Sequence, residues 1–332
     1  MRHFLVATSA LVGMALAGPA AASLSVLTSM TGQLDVSTDG CGTLSQACTL
    51  TANAPFGAVV QAAYLYTSTF DNVLPSTLGG TFSGNSLAGL YTNLGLTGGI
   101  NGLQAGRINV TGIVAGAING GPGGAYNFGY TESSANQDGG ALVVIYSATG
   151  LATTTIGILD GFSATTGDNA FINFATPLNP LAAGFRAEMR LGIGYSYDGD
   201  NPQSPSFAGQ VSQVTVNASP LTNVAGHCDD AIDASCNNGN LITVGDDADL
   251  FAVILPTVSG DHEKYDIRSL LNVGDTQIAI RTLNPSGDDN IFLAVFAVSG
   301  VGQVTTTTPE PVSIALFGTG LLGLGLLRRR RR

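Results

Sequence analysis

The feature that most constrains folding in this chain is its rhythm. Short runs of β-branched and aromatic residues alternate with clusters of Gly, Asn, Asp and Pro. Nine such runs stand out, at residues 59–66, 141–146, 153–159, 170–174, 189–195, 210–216, 250–254, 276–282 and 291–298. Runs this short, closed off by Gly-rich turns, favour strands over helices, so an all-β body is expected and long amphipathic helices are not. Two runs also predict orientation. In the run 276–282, Thr276, Ile278, Ile280 and Thr282 share one face while Gln277, Ala279 and Arg281 take the other. The run 141–146, Ala-Leu-Val-Val-Ile-Tyr, is apolar throughout and reads as a central strand buried on both sides. The stretches 119–124 and 284–289 are rich in Gly, Asn and Asp, which accommodate positive φ, and are expected to be loops. No tandem repeat emerges. The stretch 217–249 reads as loop-like, a candidate subdomain edge.

Charge narrows the partners. The formal net charge of −11 conceals an asymmetry, because six of the twelve basic residues are Arg2 and the run Arg328, Arg329, Arg330, Arg331 and Arg332. The body between the ends keeps Arg107, Arg186, Arg190, Lys264, Arg268 and Arg281 against 22 acidic residues, a net charge near −16. Such a surface repels phosphate backbones, so no nucleic-acid partner is expected. With both ends set aside, roughly 285 residues remain, ample for a full hydrophobic core.

The ends carry their own pattern. Met1-Arg2-His3 is a short basic start, residues 4–17 form an apolar stretch, and Ala20-Ala21-Ala22 offers small residues for cleavage before Ser23. This is the layout of a secretory signal peptide over 1–22, to be removed by a signal peptidase; a retained N-terminal anchor is the alternative. At the far end Thr305 opens a polar spacer, followed by Pro309-Glu310-Pro311, an apolar segment at 312–327 and five arginines. That segment would span about 24 Å as a helix, slightly less than a hydrocarbon core of about 30 Å. Arginines stay on the cytoplasmic side, so a C-terminal transmembrane helix would halt export with the body outside.

The string TPEPVSIALFGTGLLGLGLLRRRRR resembles the PEP-CTERM sorting signal of exported proteins in Gram-negative bacteria that make extracellular polysaccharide. The resemblance implies that a membrane-embedded exosortase recognises Pro309, Glu310 and Pro311, removes the tail and releases the body to the cell surface or extracellular matrix. An uncleaved C-terminal anchor is the alternative. A second, looser resemblance rests on 138–146, 153–159 and Asp160-Gly161-Phe162, with Ala63-Tyr64-Leu65-Tyr66 upstream and Gly274-Asp275-Thr276 downstream. These are similar to jelly-roll-like domains of bacterial surface proteins, which implies a β-sandwich and a location rather than a chemistry. The expected plan is a signal peptide at 1–22, a β-sandwich body at 23–304 and a sorting signal at 305–332.

Cys41 and Cys48 are seven apart and Cys228 and Cys236 eight apart, in a chain bound for an oxidising compartment. Two local disulfides are the expected pairing among the three that four cysteines allow, each contributing about 2 kcal/mol. A zinc site is disfavoured, since there is no Cys-x-x-Cys and only His227 lies near a cysteine in sequence. No cofactor is expected beyond a structural calcium ion, for which Asp198, Asp200, Asp246, Asp247 and Asp249, together with Asp288 and Asp289, offer oxygen ligands in loops. None fits the twelve-residue EF-hand pattern, and plain solvated turns remain the alternative reading.

Catalytic signals are weak. His227 and His262 lie outside any His-Glu-x-x-His context, and the sequence Gly-Phe-Ser-Ala-Thr at 161–165 lacks the closing glycine of a nucleophile elbow. The cluster Asp261-His262-Glu263 reads as a hydrophilic loop. The expectation is a non-enzymatic exported protein of the surface or matrix. A carbohydrate-binding or adhesin module is the second reading, with Tyr64, Tyr66, Tyr126, Tyr130, Tyr195 and Tyr197 as candidate sugar platforms. An exported hydrolase, which requires a carboxylate pair, is the third.

Overall fold

The computed structural model describes residues 23–42, 46–96, 102–164, 166–196, 212–225, 240–242, 263–284 and 290–306. Both expected terminal signals and the run 250–254 lie outside these residues. The elements, in order, are β1 (Ser25–Cys41), β2 (Ala47–Ala54), β3 (Val59–Thr69), β4 (Thr81–Phe82), β5 (Asn85–Ser86), β6 (Thr92–Leu96), β7 (Gln104–Asn109), α1 (Thr111–Ile118), β8 (Gly124–Thr131), β9 (Gln137–Ser147) and β10 (Thr153–Asp160). They continue as β11 (Asn169–Phe174), β12 (Ala187–Ser196), β13 (Ser212–Val216), β14 (Ser219–Ala225), β15 (Asn240–Ile242), β16 (Lys264–Asp266), β17 (Gln277–Leu283), β18 (Asn290–Ser299) and β19 (Gly302–Thr306). The protein is all-β and sandwich-like, as its rhythm predicts.

Among the described residues three antiparallel sheets make up the layers. The largest runs β15-β12-β18-β10-β1-β9-β3-β7-β6, with β16 also on β12; the others run β14-β13-β17-β11-β19 and β2-β8-β4-β5. β1 joins the two halves of the large sheet. Its residues 25–33 pair with β10 and its residues 34–41 with β9. One face of both halves closes on a shared core that includes Val36, Val143, Ile145, Ile156, Ile158, Phe292 and Val295. The five-stranded sheet covers the outer face of the β12-β18-β10 half through Ile172, Val214, Ile278, Met189, Leu191 and Phe296. The four-stranded sheet and α1 cover the β9-β3-β7 half through Leu50, Phe128, Val114, Ile118, Leu65 and Val144. Burial of this apolar area, at about 25 cal/mol per Å², drives the assembly.

The two orientation predictions hold. In β9, Leu142, Val144 and Tyr146 enter one core and Ala141, Val143 and Ile145 enter the other, so the strand is buried on both faces. In β17, Ile278, Ile280 and Thr282 are buried while Gln277 and Arg281 are exposed; Thr276, expected on the same face as the buried three, precedes the strand and is exposed. Close sheet packing fixes Gly157, where a Cβ would lie 2.3 Å from Val304 Cγ2.

Other expectations need correction. The described part of 217–249 is not loop but the β13–β14 hairpin and β15. Asn217 and Ala218 turn that hairpin at φ of 50° and 64°. The Asn217 side chain accepts from Ala279 N (3.0 Å) and donates to the Leu270 carbonyl (3.1 Å), tying the turn to its own sheet. The folded sheet also reaches past residue 304. Thr305 and Thr306, read as the start of the polar spacer, belong to β19 and pair with Phe171 and Ala170.

Among the described residues no strand lies beside the other edge of β19, and hydroxyls take that place. Val304 N donates to Ser29 Oγ (2.9 Å), Gly302 N donates to Thr155 Oγ1 (2.8 Å) and Thr31 Oγ1 donates to the Gly302 carbonyl (2.9 Å). The last described strand is thereby sewn onto the first. Leu24 and Thr306 line the same small cavity, so both ends of the body leave from one end of this sheet pair.

Candidate functional site

Of the two expected disulfides, Cys41–Cys48 is formed, clipping the end of β1 to the start of β2. Cys228 and Cys236 lie outside the described residues, as do the calcium candidates Asp198, Asp200, Asp246, Asp247, Asp249, Asp288 and Asp289 and the sorting residues Pro309, Glu310, Pro311 and Arg328 to Arg332. Among the described residues no group of three His, Cys, Asp or Glu side chains is placed to hold a metal ion. No helix among them is long and apolar enough to cross a membrane.

The tyrosine platform does not form as expected. Tyr66 and Tyr130 are core residues, 0 % and 1 % exposed: Tyr66 sits on β3, which is covered on both faces, and Tyr130 points inward from β8, whose other face is exposed. Tyr64 is half-buried beneath Arg107, whose guanidinium carbon lies 5.9 Å from the ring centre. The Tyr126 hydroxyl accepts from Gly123 N (2.9 Å). The side chain of Tyr195 and all of Tyr197 lie outside the described residues. Ser163, the serine of the elbow-like sequence, is buried and shares a 2.8 Å hydrogen bond with Thr282 Oγ1, so it offers no exposed nucleophile. Glu263 is not part of a solvated loop: it is fully buried and accepts from the Tyr265 hydroxyl.

Three polar clusters lie inside or at the edge of the large sheet. In the first, Asp160 at the end of β10 accepts from Arg107 on β7 and from the Tyr66 hydroxyl (3.2 Å). Burial pushes the Asp160 carboxyl up, and Arg107 only partly offsets it. The second cluster lies on the opposite face of β3, next to the cystine. There Gln137 Nε2 donates to Tyr130 Oη (2.7 Å) and Thr67 Oγ1 (3.0 Å), and Tyr91 Oη lies 3.4 Å from Tyr130 Oη. Glu132 belongs to this group. Its backbone N–H donates to the Gln46 carbonyl (2.9 Å), yet neither carboxyl oxygen makes a hydrogen bond of proper geometry. Burial pushes its carboxyl up to about 8, with the nearby Gly139 amide easing only part of the cost. Asp160 bonds Tyr66 while Glu132 lies by Tyr130, which bonds Thr67; Tyr66 and Thr67 are successive residues of β3 on opposite faces, so the two carboxyls do not converge as a catalytic pair.

The third cluster opens to the surface. On β12, Ala187, Met189 and Leu191 enter the core beneath the five-stranded sheet, which turns Glu188 and Arg190 to the other face. Arg190, 1 % exposed, donates to Glu188 Oε2 (2.9 Å), Thr38 Oγ1 (2.8 Å) and the Val36 carbonyl (3.3 Å). Arg186 donates to the same Glu188 Oε2 (2.7 Å) and to Asp35. Burial would push the Glu188 carboxyl up, but the two guanidiniums outweigh it and hold it below the usual carboxylate range. Beside them Arg268 grips Asp266 through Nε (2.9 Å) and Nη2 (2.5 Å), holding that carboxyl down as well. Phe185, Arg186, Ala187, Glu188, Asp266 and Arg268 together line an open cleft of about 180 Å³.

Sequence reasoning missed this cleft, because its residues are scattered through 185–188 and 266–268 and neither stretch carries a motif. The one available signal was charge: Arg186, Arg190 and Arg268 are half of the six basic residues in an acidic body. Compared with known proteins, the chain matches no protein-family model and no curated protein sequence.

Proposed function

We propose that this chain is an exported, non-enzymatic component of the cell surface or extracellular matrix, carried out by the leader at 1–22 and sorted by an exosortase through its C-terminal tail. The observation that carries the reading is the Cys41–Cys48 cystine, because structural disulfides belong to oxidising compartments outside the cytosol. The layout of the ends supports it. Leu24 and Thr306 lie at one end of the sheet pair, so the leader and the tail join the body on the same side. The test is intact-mass measurement on protein recovered from the native cell exterior, with and without the sorting enzyme. The expected result is loss of residues 1–22 always and of about the last 25 residues only when the enzyme is present. An unchanged C-terminus in both cases would favour the plain anchor, and both ends intact in the cytosol would end the export reading.

Saccharide binding is the second reading, and the Arg186–Arg268 cleft is the observation that favours it over the tyrosine platforms.

A further inference from the structure

We propose that the cleft lined by Phe185, Arg186, Glu188, Asp266 and Arg268 binds a single neutral sugar ring. The choice of ligand class rests on the matrix reading above; the site rests on its own geometry.

The walls are two arginine–carboxylate sets, Arg186 with Glu188 and Arg268 with Asp266, so the lining carries no net charge. Each wall keeps hydrogen-bonding capacity beyond these pairs. Both arginine bonds to Glu188 fall on Oε2, leaving Oε1 to other partners, and Arg268 uses Nε and Nη2, leaving Nη1. A sugar hydroxyl both donates and accepts, and neighbouring hydroxyls match the planar spacing of carboxylate and guanidinium groups. Because both carboxyls are held down by their arginines, they remain acceptors through neutral and mildly acidic pH. Phe185, half-buried, supplies the apolar surface on which the C–H face of a pyranose packs.

Size and charge narrow the ligand further. At about 180 Å³ the cleft falls short of the ~300 Å³ at which sites for larger ligands begin, so it takes one ring rather than a chain of them. A body near −16 repels polyanions, which favours a neutral sugar over a uronic acid. The site also lies at the end of the sheet away from Leu24 and Thr306. Ala187 pairs with Val298, at the end of β18 that adjoins Thr154, whereas Asp160 at the far end of β10 pairs with Ser25. Six residue steps of strand put those ends about 20 Å apart.

The test uses the full protein purified from its native host, titrated by calorimetry with methyl β-glucoside and, separately, glucuronate. The glucoside is expected to bind with a Kd on the order of 1 mM and glucuronate roughly tenfold more weakly. Arg268→Ala and Phe185→Leu should each weaken glucoside binding by roughly tenfold; Arg268→Ala should leave the thermal midpoint unchanged, since Arg268 is half exposed, and Phe185→Leu should lower it only slightly, since leucine keeps part of the contact with the core. Absence of glucoside binding, glucuronate binding more tightly, or unchanged affinity in both folded variants would each overturn the proposal. The outcome is independent of the mass measurement, so a cleaved tail with no sugar binding, or the converse, separates the two readings.

Discussion

Two glutamates on opposite flanks of the large sheet, Glu132 buried and Glu188 half-buried, solve the same problem in opposite ways. Glu188 sits between Arg186 and Arg190 and stays ionised; Glu132 sits beside Tyr130 and Tyr91 with neither oxygen bonded, and burial drives it towards the neutral acid. The lesson is that burial alone does not set a carboxyl's state; the partner does. Their effects on stability have opposite signs. A carboxyl held low in the fold contributes stability above its unfolded value of 4.5 that is lost as pH falls through the folded value. A carboxyl pushed up costs stability as pH rises from 4.5, where the unfolded chain ionises, to about 8, where the folded one follows. The two contributions together are therefore most favourable near pH 4.5.

The largest loss of stability comes from breaking the paired side. Arg190→Met removes a buried guanidinium and should cost about 3 kcal/mol near neutral pH, read as a shift in the urea midpoint, and should raise the Glu188 carboxyl. A loss under about 1 kcal/mol would mean that Arg186 alone satisfies Glu188. Next, Glu132→Gln should match the wild type at pH 4 and exceed it increasingly up to pH 8, by up to about 1.4 kcal/mol per pH unit. Parallel stability curves for the two proteins would show that Glu132 titrates normally.

Cys41→Ser opens the loop that closes beside Glu132 and should cost about 2 kcal/mol, as expected for a short closed loop. Water admitted there should also flatten the wild-type decline between pH 4.5 and 8. An unchanged slope would place the shielding of Glu132 in Tyr91 and Tyr130 rather than in the clip. The smallest effect belongs to Thr67→Val, which removes one acceptor from Gln137 and should cost about 1 kcal/mol with no change in pH dependence.

Much of the fold was legible in the sequence, and the gaps have a common cause. Eight of the nine predicted runs overlap strands, and the ninth lies outside the described residues. The long first strand escaped notice because residues 25–41 are rich in Ser, Thr, Gly and Asp rather than apolar residues. Its hydroxyls do the structural work instead: Ser29 and Thr31 hold β19, and Ser37 Oγ accepts from Asn53 N (2.9 Å). The helix α1 was missed because Thr-Gly-Ile-Val-Ala-Gly-Ala-Ile mixes weak helix formers with only two buried positions, Val114 and Ile118. It is held by context: Asn109 Oδ1 accepts from Thr111 N (3.0 Å), and Ala63 N donates to Thr111 Oγ1 (2.8 Å).

The sequence alone determined the all-β class, the double burial of β9 and the inward face of β17, because side chains alternate strictly along a strand and their polarity records which side is dry. Only the tertiary structure decided that Tyr66 and Tyr130 are interior, that Glu132 is stranded and that Arg186 meets Asp35 across 151 residues of chain. Alternation tells a strand which face to bury but not which sheet will cover it. That choice rests on long-range pairing, and it is where charges find or lack their partners.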